Sequence, residues 1–337
     1  MPELRKDPVL GSWVIIARER AKRPSDFARR PPEKRKGQET CPFCYGREDQ
    51  TPPEVLAYRP GEGEPNTPGW SVRVVPNKFP ALDHRAELAS REVGPFTFLS
   101  GRGVHEVIIE TPEHEASLVT YPREQLEAVW RALIERYQAL ARDPDLRYIQ
   151  IFKNHGAVAG ASLEHPHFQL VATPLIPPLI QQELDASYRY YTARHRCIYC
   201  DIVEWEEREN QRIVEKNDSF LILCPYASRA PFEFWLLPRR HKSHFFLLTP
   251  SELRELAAIL QEVMRRLAAS LEDPPYNLML HTAPVDLEAA EYYHWHLEVI
   301  PRLTVWAGFE LGTGVYINPT PPEVAAKFLQ VSLRDIH

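Results

Sequence analysis

His165-Pro166-His167-Phe168-Gln169-Leu170-Val171-Ala172-Thr173 sets two imidazoles and a carboxamide at alternate positions of a segment that reads as extended. Side chains of a strand alternate faces, so His165, His167 and Gln169 share one face and Pro166, Phe168 and Leu170 the other. One face then carries chemistry while the other suits a core. Just upstream, Asn154-His155-Gly156-Ala157-Val158-Ala159-Gly160-Ala161-Ser162 supplies small residues and backbone amides. Such residues let a bulky anion approach the main chain closely.

A related run, His294-Trp295-His296, closes a second series with the same order. In the first series Cys41 and Cys44 precede an apolar strand at 71–77, a strand at 104–110, His114, a helical stretch at about 123–142 and a strand at 148–152. In the second, Cys197 and Cys200 precede 220–223, 232–241 with its terminal His241, a helix at about 251–271 and a strand at 276–281. His114 lies 51 residues before His165, and His241 lies 53 before His294. Ligand-type residues kept in register twice imply a tandem duplication of one α+β unit, each with a helix over a mostly antiparallel sheet. The expected division is 1–185 and 186–337. Pro174-Leu175-Ile176-Pro177-Pro178 reads as a rigid exit leading into a connecting helix, and 23–39 and 59–69 read as surface loops or disordered segments.

With 337 residues and a formal net charge of -6, the chain has no general attraction for nucleic acid or anionic membranes, so any phosphate site must be local. The first residues lack an apolar signal segment and no stretch is long enough to span a bilayer, which points to a cytoplasmic protein. The five cysteines comprise two CxxC pairs and Cys224 in an apolar strand, a buried position. In an intracellular chain such pairs read as zinc half-sites or redox pairs. A redox pair wants CxxC at a helix start, and 45–50 opens no amphipathic helix.

Two thiolates plus two imidazoles form a tetrahedral zinc set, which gives Cys41, Cys44, His114 and His165 in the first half and Cys197, Cys200, His241 and His294 in the second. The second half leaves an alternative open: Glu183, His281, His294 and His296 form a harder set suited to iron or zinc. His155 and His244 read as exposed or hydrogen-bonded residues, and His105 as a satisfied structural residue in an apolar strand.

If His165 binds zinc, His167 stays free on the solvent-facing side of the strand. A neutral imidazole attacks phosphorus to give a phosphoramidate that a second acceptor displaces. Gln169 then donates to a phosphoryl oxygen, and the amides of Gly160, Ala161 and Ser162 add donors where charge develops. General-base chemistry is the competing role for His167. No GxxxxGK[ST] or GxSxG segment is present.

The Cys-x-x-Cys pair, Asn-x-Gly-x-x-x-Gly-x-Ser-x-x-His-Pro-His-x-Gln, the later His-x-His and the opening 7–15 and 20–24 resemble the galactose-1-phosphate uridylyltransferase family, the duplicated branch of the histidine triad superfamily. The resemblance implies ping-pong transfer of UMP from UDP-glucose to galactose 1-phosphate through a uridylyl-His167, in a homodimer. It places nucleotide contacts on Arg20, Asn77, Asn154, Gly160 and Ser162, and a loop near the hexose or phosphate on Phe309 and Glu310. It also implies the first zinc set, with a second metal on Glu183, His281, His294 and His296 in iron-bearing members. Cys197 and Cys200, with His241 and His294, and the ending 308–319 resemble instead the ADP-glucose phosphorylase branch, in which AMP passes from ADP-glucose to phosphate.

Overall fold

The computed structural model describes residues 2–20, 38–286 and 289–331; the loop expected at 23–39 falls almost wholly outside them. The strands are β1 (Glu3–Lys6), β2 (Trp13–Ile16), β3 (Leu56–Tyr58), β4 (Val72–Pro76), β5 (Ser90–Val93), β6 (Phe96–Leu99), β7 (Val104–Ile109), β8 (Tyr148–His155), β9 (His167–Thr173), β10 (Ile213–Lys216), β11 (Phe220–Leu223), β12 (Phe234–Pro238), β13 (Tyr276–His281), β14 (His296–Pro301) and β15 (Tyr316–Asn318). The helices are α1 (Arg123–Leu140), α2 (Pro178–Arg194), α3 (Ile198–Glu209), α4 (Pro250–Leu271), α5 (Gly308–Thr313) and α6 (Pro322–Gln330). None is long and apolar enough to cross a membrane among the described residues.

Ten strands form one sheet in the order β10-β11-β12-β14-β13-β8-β9-β7-β4-β3. Read outward from the central β13–β8 pair, β8-β9-β7-β4-β3 on one side matches β13-β14-β12-β11-β10 on the other. The duplication is therefore written into the strand order, and the α+β class follows. The two units share one continuous antiparallel sheet, with Asn277 opposite Asn154 and Leu280 opposite Ile151 across the seam. The division expected at 185 falls inside α2, which runs unbroken through it.

One helix from each unit covers the same sheet face. In α1, Leu126, Val129, Trp130, Leu133 and Tyr137 recur at helical spacing and are buried. In α4, Leu253, Leu256, Ala257, Leu260, Val263, Met264 and Leu267 do the same. The start of α4 is fixed locally: Pro250 opens the helix, Glu252 N–H donates to Thr249 Oγ1 at 3.3 Å, and Thr249 N–H donates to Glu252 Oε2 at 2.8 Å. Phe168 and Leu170 join this core from β9, with the Trp130 ring 5.5 Å from that of Phe168.

One charged pair sits in that apolar layer. Lys153 of β8 bonds Glu110, which also accepts from Tyr121 Oη at 3.0 Å, and the ammonium lies 5.4 Å from the Phe168 ring centroid. Removing one partner strands the other charge in the core, at a cost of about 3–5 kcal/mol. Lys153→Met is expected to lose that much in urea unfolding, and pairing it with Glu110→Leu should restore most of it.

The opposite sheet face is where the two units differ. In the second it is closed by α3, whose Ile198, Tyr199 and Val203 pack with Leu221, Leu223, Trp235 and Leu237. In the first, the described residues form a smaller cluster of Cys41, Phe43, Cys44, Trp70, Val75, Val107 and Ile109 around the CxxC turn.

Candidate active site and metal centres

Cys41, Cys44, His114 and His165 come together in the first unit, with donor atoms within 4.8 Å of one another. His165 Nδ1 lies 3.6 Å from both sulfurs, and His114 Nδ1 lies 3.4 Å from Cys44 Sγ. Ligands at about 2.3 Å (sulfur) and 2.0–2.1 Å (nitrogen) from one tetrahedral ion stand about 3.5 Å apart, so the spacing fits zinc. The protonation fits as well. His165 Nε2–H donates to Thr111 O at 2.7 Å, which leaves the Nδ1 lone pair for an ion. Burial and the neighbouring Cys41 push the Cys44 thiol up to about 11, so the thiolate pair calls for a cation.

The second unit repeats this. Cys200 Sγ lies 3.4 Å from His241 Nδ1 and 3.6 Å from His294 Nδ1. The far ring nitrogens donate to Ala290 O at 2.8 Å and Pro238 O at 3.0 Å. Cys197 caps the N-terminus of α3, so here, unlike at Cys44, the CxxC pair does open a helix.

A third cluster stands apart: Glu183, His281, His296 and Glu298, all buried. His294, weighed for this group in the sequence, turns to the cysteines, and Glu298 completes it instead. His281 Nδ1 is 2.9 Å from Glu183 Oε1, and Tyr293 Oη donates to Glu183 Oε2 at 2.6 Å. Arg229 Nη2 donates to Glu298 Oε2 at 2.6 Å. His296 is the counterpart of His167, but rings of Tyr199 at 4.9 Å, His281 at 5.0 Å and Trp235 at 5.5 Å enclose it.

His167 itself is only 6% exposed, not solvent-facing as its strand alternation suggested. Phe43, inside the Cys41–Cys44 turn, folds its ring edge-on over the imidazole at 5.4 Å. His167 Nδ1–H donates to His165 O at 2.8 Å, so Nε2 carries the lone pair. Burial pulls the imidazole down to about 4, which keeps it neutral at physiological pH.

His105, read in the sequence as structural, sits beside this group. Ala81 N–H donates to its Nδ1 at 3.2 Å, so the ring proton is on Nε2, which donates to Gln169 Oε1 at 2.9 Å. The Gln169 NH₂ is thereby left without an acceptor among the described residues. Asn77 Oδ1 accepts from Phe79 N–H at 2.9 Å, and its Nδ2 lies 3.1 Å from the same His105 nitrogen. Both amides thus keep donors for an anionic oxygen.

The loop after β8 is shaped by Gly156 (φ 80) and Gly160 (φ 90), which bracket a short turn at Ala157–Ala159. A side chain at Gly156 would meet Pro275 Cβ at 2.8 Å. Two of the three amides expected as anion donors are spent within the turn: Gly160 N–H goes to Ala157 O at 2.9 Å and Ala161 N–H to Gly156 O at 3.2 Å. A tight turn uses its own amides, which leaves Ser162. Phe309 and Glu310 lie on the exposed helix α5, where Glu310 Oε2 accepts from Ala307 N–H at 3.0 Å. Among the described residues, no hydrogen bond or ring contact brings them to His167. Of Arg20 only the backbone, at the end of the turn Arg18–Arg20, is described.

Residues 1–177 match the N-terminal domain of galactose-1-phosphate uridyl transferase, and residues 183–337 match its C-terminal domain. The chain belongs to the galactose-1-phosphate uridyl transferase family. Within that family it is 38% identical to the ADP-glucose phosphorylase of Arabidopsis thaliana, over 98% of this chain and 93% of the relative. It is 31% identical to the galactose-1-phosphate uridylyltransferase of Thermotoga maritima, over 98% of each. The crystal structure of an Arabidopsis thaliana ADP-glucose phosphorylase with bound ADP-glucose superposes with a TM-score of 0.81 at 35% identity, covering 99% of this chain and 100% of that one. A uridylyltransferase structure superposes at 0.76 with 29% identity, covering 98% and 97%. The protein is thus a nucleotidyltransferase of the uridyl transferase family.

Proposed function

We propose that the protein moves a nucleotidyl group from a nucleoside diphosphate glucose to a phosphate-bearing acceptor in two displacements through His167. In the first, His167 Nε2 attacks the α-phosphorus, the bond to the bridging oxygen breaks, and glucose 1-phosphate leaves with the electron pair. The Nδ1–H bond to His165 O holds the ring while it gains positive charge. In the second, an acceptor oxygen attacks the phosphorus and returns the electron pair to Nε2. Gln169 NH₂, set by His105, donates to a non-bridging oxygen. Cys41, Cys44, His114 and His165 would hold a structural zinc, which supplies no chemistry but fixes His165 and so the bond that orients His167.

Removing one donor of this kind slows a reaction about 10²- to 10³-fold. Gln169→Ala is expected to form the adduct more slowly by that factor in single-turnover measurements, with its metal content unchanged.

For the donor we favour ADP-glucose with inorganic phosphate as acceptor, over the UDP-glucose and galactose 1-phosphate suggested by the family motif. The supporting observation is that the ADP-glucose phosphorylase relative is 38% identical against 31% for the uridylyltransferase, each over 98% of the chain. The Cys197, Cys200, His241 and His294 set points the same way. The uridylyltransferase reading keeps the same chemistry and changes only base and acceptor. Comparing kcat/KM for ADP-glucose with phosphate and for UDP-glucose with galactose 1-phosphate decides between them: we expect at least a tenfold preference for the adenylyl donor, and the reverse preference overturns it.

A further inference from the structure

Phe152 of β8 pairs with Gln169 of β9, so the loop that follows β8 leaves the sheet at the His167 end of β9; it belongs to the first unit but is held by the second. His155 stacks on Tyr276 at 4.9 Å and 23°, and its Nε2 lies 3.2 Å from both carboxylate oxygens of Asp273. Gly156 abuts Pro275. Asn277 is the centre of this clamp. Its Nδ2 donates to Ala159 O at 2.8 Å and to Asn154 Oδ1 at 2.8 Å, while its Oδ1 faces Arg302 Nη1 at 3.4 Å.

A carbonyl only accepts and a guanidinium only donates, so the Asn277 amide has one orientation. That in turn decides Asn154: its Oδ1 must be the acceptor, and its NH₂ points away from Asn277. A side chain at Gly160 would lie 3.7 Å from that nitrogen, which places the NH₂ toward the loop that borders His167.

We propose that Asn277, contributed by the second unit, is a positioning residue for transfer at His167. It fixes which end of Asn154 faces the substrate and pins the 157–159 turn through the Ala159 carbonyl. This deepens the function proposed above and rests on it for the reaction. The two units are then coupled in catalysis even though the second unit's own His296 is closed off.

The test uses Asn277→Asp in the full-length protein. The replacement is isosteric and keeps an acceptor for Arg302, but it sets a carboxylate oxygen against Ala159 O and Asn154 Oδ1, so both donors are lost. Hydrogen exchange in the peptide spanning 156–162 should quicken about tenfold. With nucleoside diphosphate glucose alone, adduct formation should slow about 10- to 100-fold while metal content stays unchanged. Asn154→Ala should lose a similar factor, and the double variant should lose no more than either single change. A rigid-fold role alone predicts losses that multiply, which overturns the proposal. Unchanged exchange in Asn277→Asp overturns it too, as does faster exchange with an unchanged adduct rate. If the wild type forms no adduct with either donor, the proposed function falls, and the exchange comparison alone decides the role of Asn277.

Discussion

Cys41→Ser is expected to lose one metal ion per chain and to unfold the first unit. Cys41 is one of four buried donors, and the turn it closes carries Phe43 over His167 and packs with Trp70, Val75, Val107 and Ile109. Zinc contributes apparent folding free energy of about 10 kcal/mol or more in small zinc peptides, while a whole domain is stable by only about 5–15 kcal/mol. Loss of one ligand therefore takes a large share of the stability of this unit. Elemental analysis and thermal unfolding followed by far-UV dichroism check it: wild type should hold at least two ions per chain. A Cys41→Ser protein with unchanged melting and metal content would remove the zinc from the account. Cys200→Ser should be milder, because Cys200 is only partly buried and the second unit's strands are covered on one face by α3 and on the other by α4.

Replacement of His167 by Asn should abolish turnover by about 10⁴-fold or more, because a covalent route loses its only nucleophile. Asn is chosen over Ala because the imidazole is buried against Phe43 and its Nδ1–H serves His165 O. An asparagine NH₂ can replace that bond, so folding and zinc should persist. The expected profile is therefore wild-type melting with no measurable nucleotidyl transfer. Loss of only about tenfold would assign His167 to substrate binding.

The two Cys and His clusters were legible because the chain writes the same residue types twice in the same register, as a pair of metal sites would require. The sheet was legible from strand alternation, which puts Phe168 and Leu170 in the core and Gln169 on the working face. Partners brought by remote strands were not. His105 looked like a satisfied strand histidine, and it is satisfied, but by Gln169 across the β7–β9 pair. Nothing local to Phe43 announces that a CxxC turn folds it over an imidazole far along the chain. Glu298 did carry a signal, since His294-x-His296-x-Glu298 repeats His165-x-His167-x-Gln169 with a carboxylate in place of the amide. Recognising it requires knowing that α3 closes the second face and that Arg229 reaches the carboxylate.

The covalent step is tested most directly by mixing the protein with ADP-glucose alone, then with UDP-glucose alone, with no acceptor present. The proposed chemistry predicts release of about one glucose 1-phosphate per active site, with the nucleotide retained on His167 by peptide mass spectrometry. As a histidine phosphoramidate, the label should survive alkaline denaturation and be lost in acid. No burst with either donor, together with steady-state lines that intersect rather than run parallel, would mean direct transfer in a ternary complex and would contradict the account.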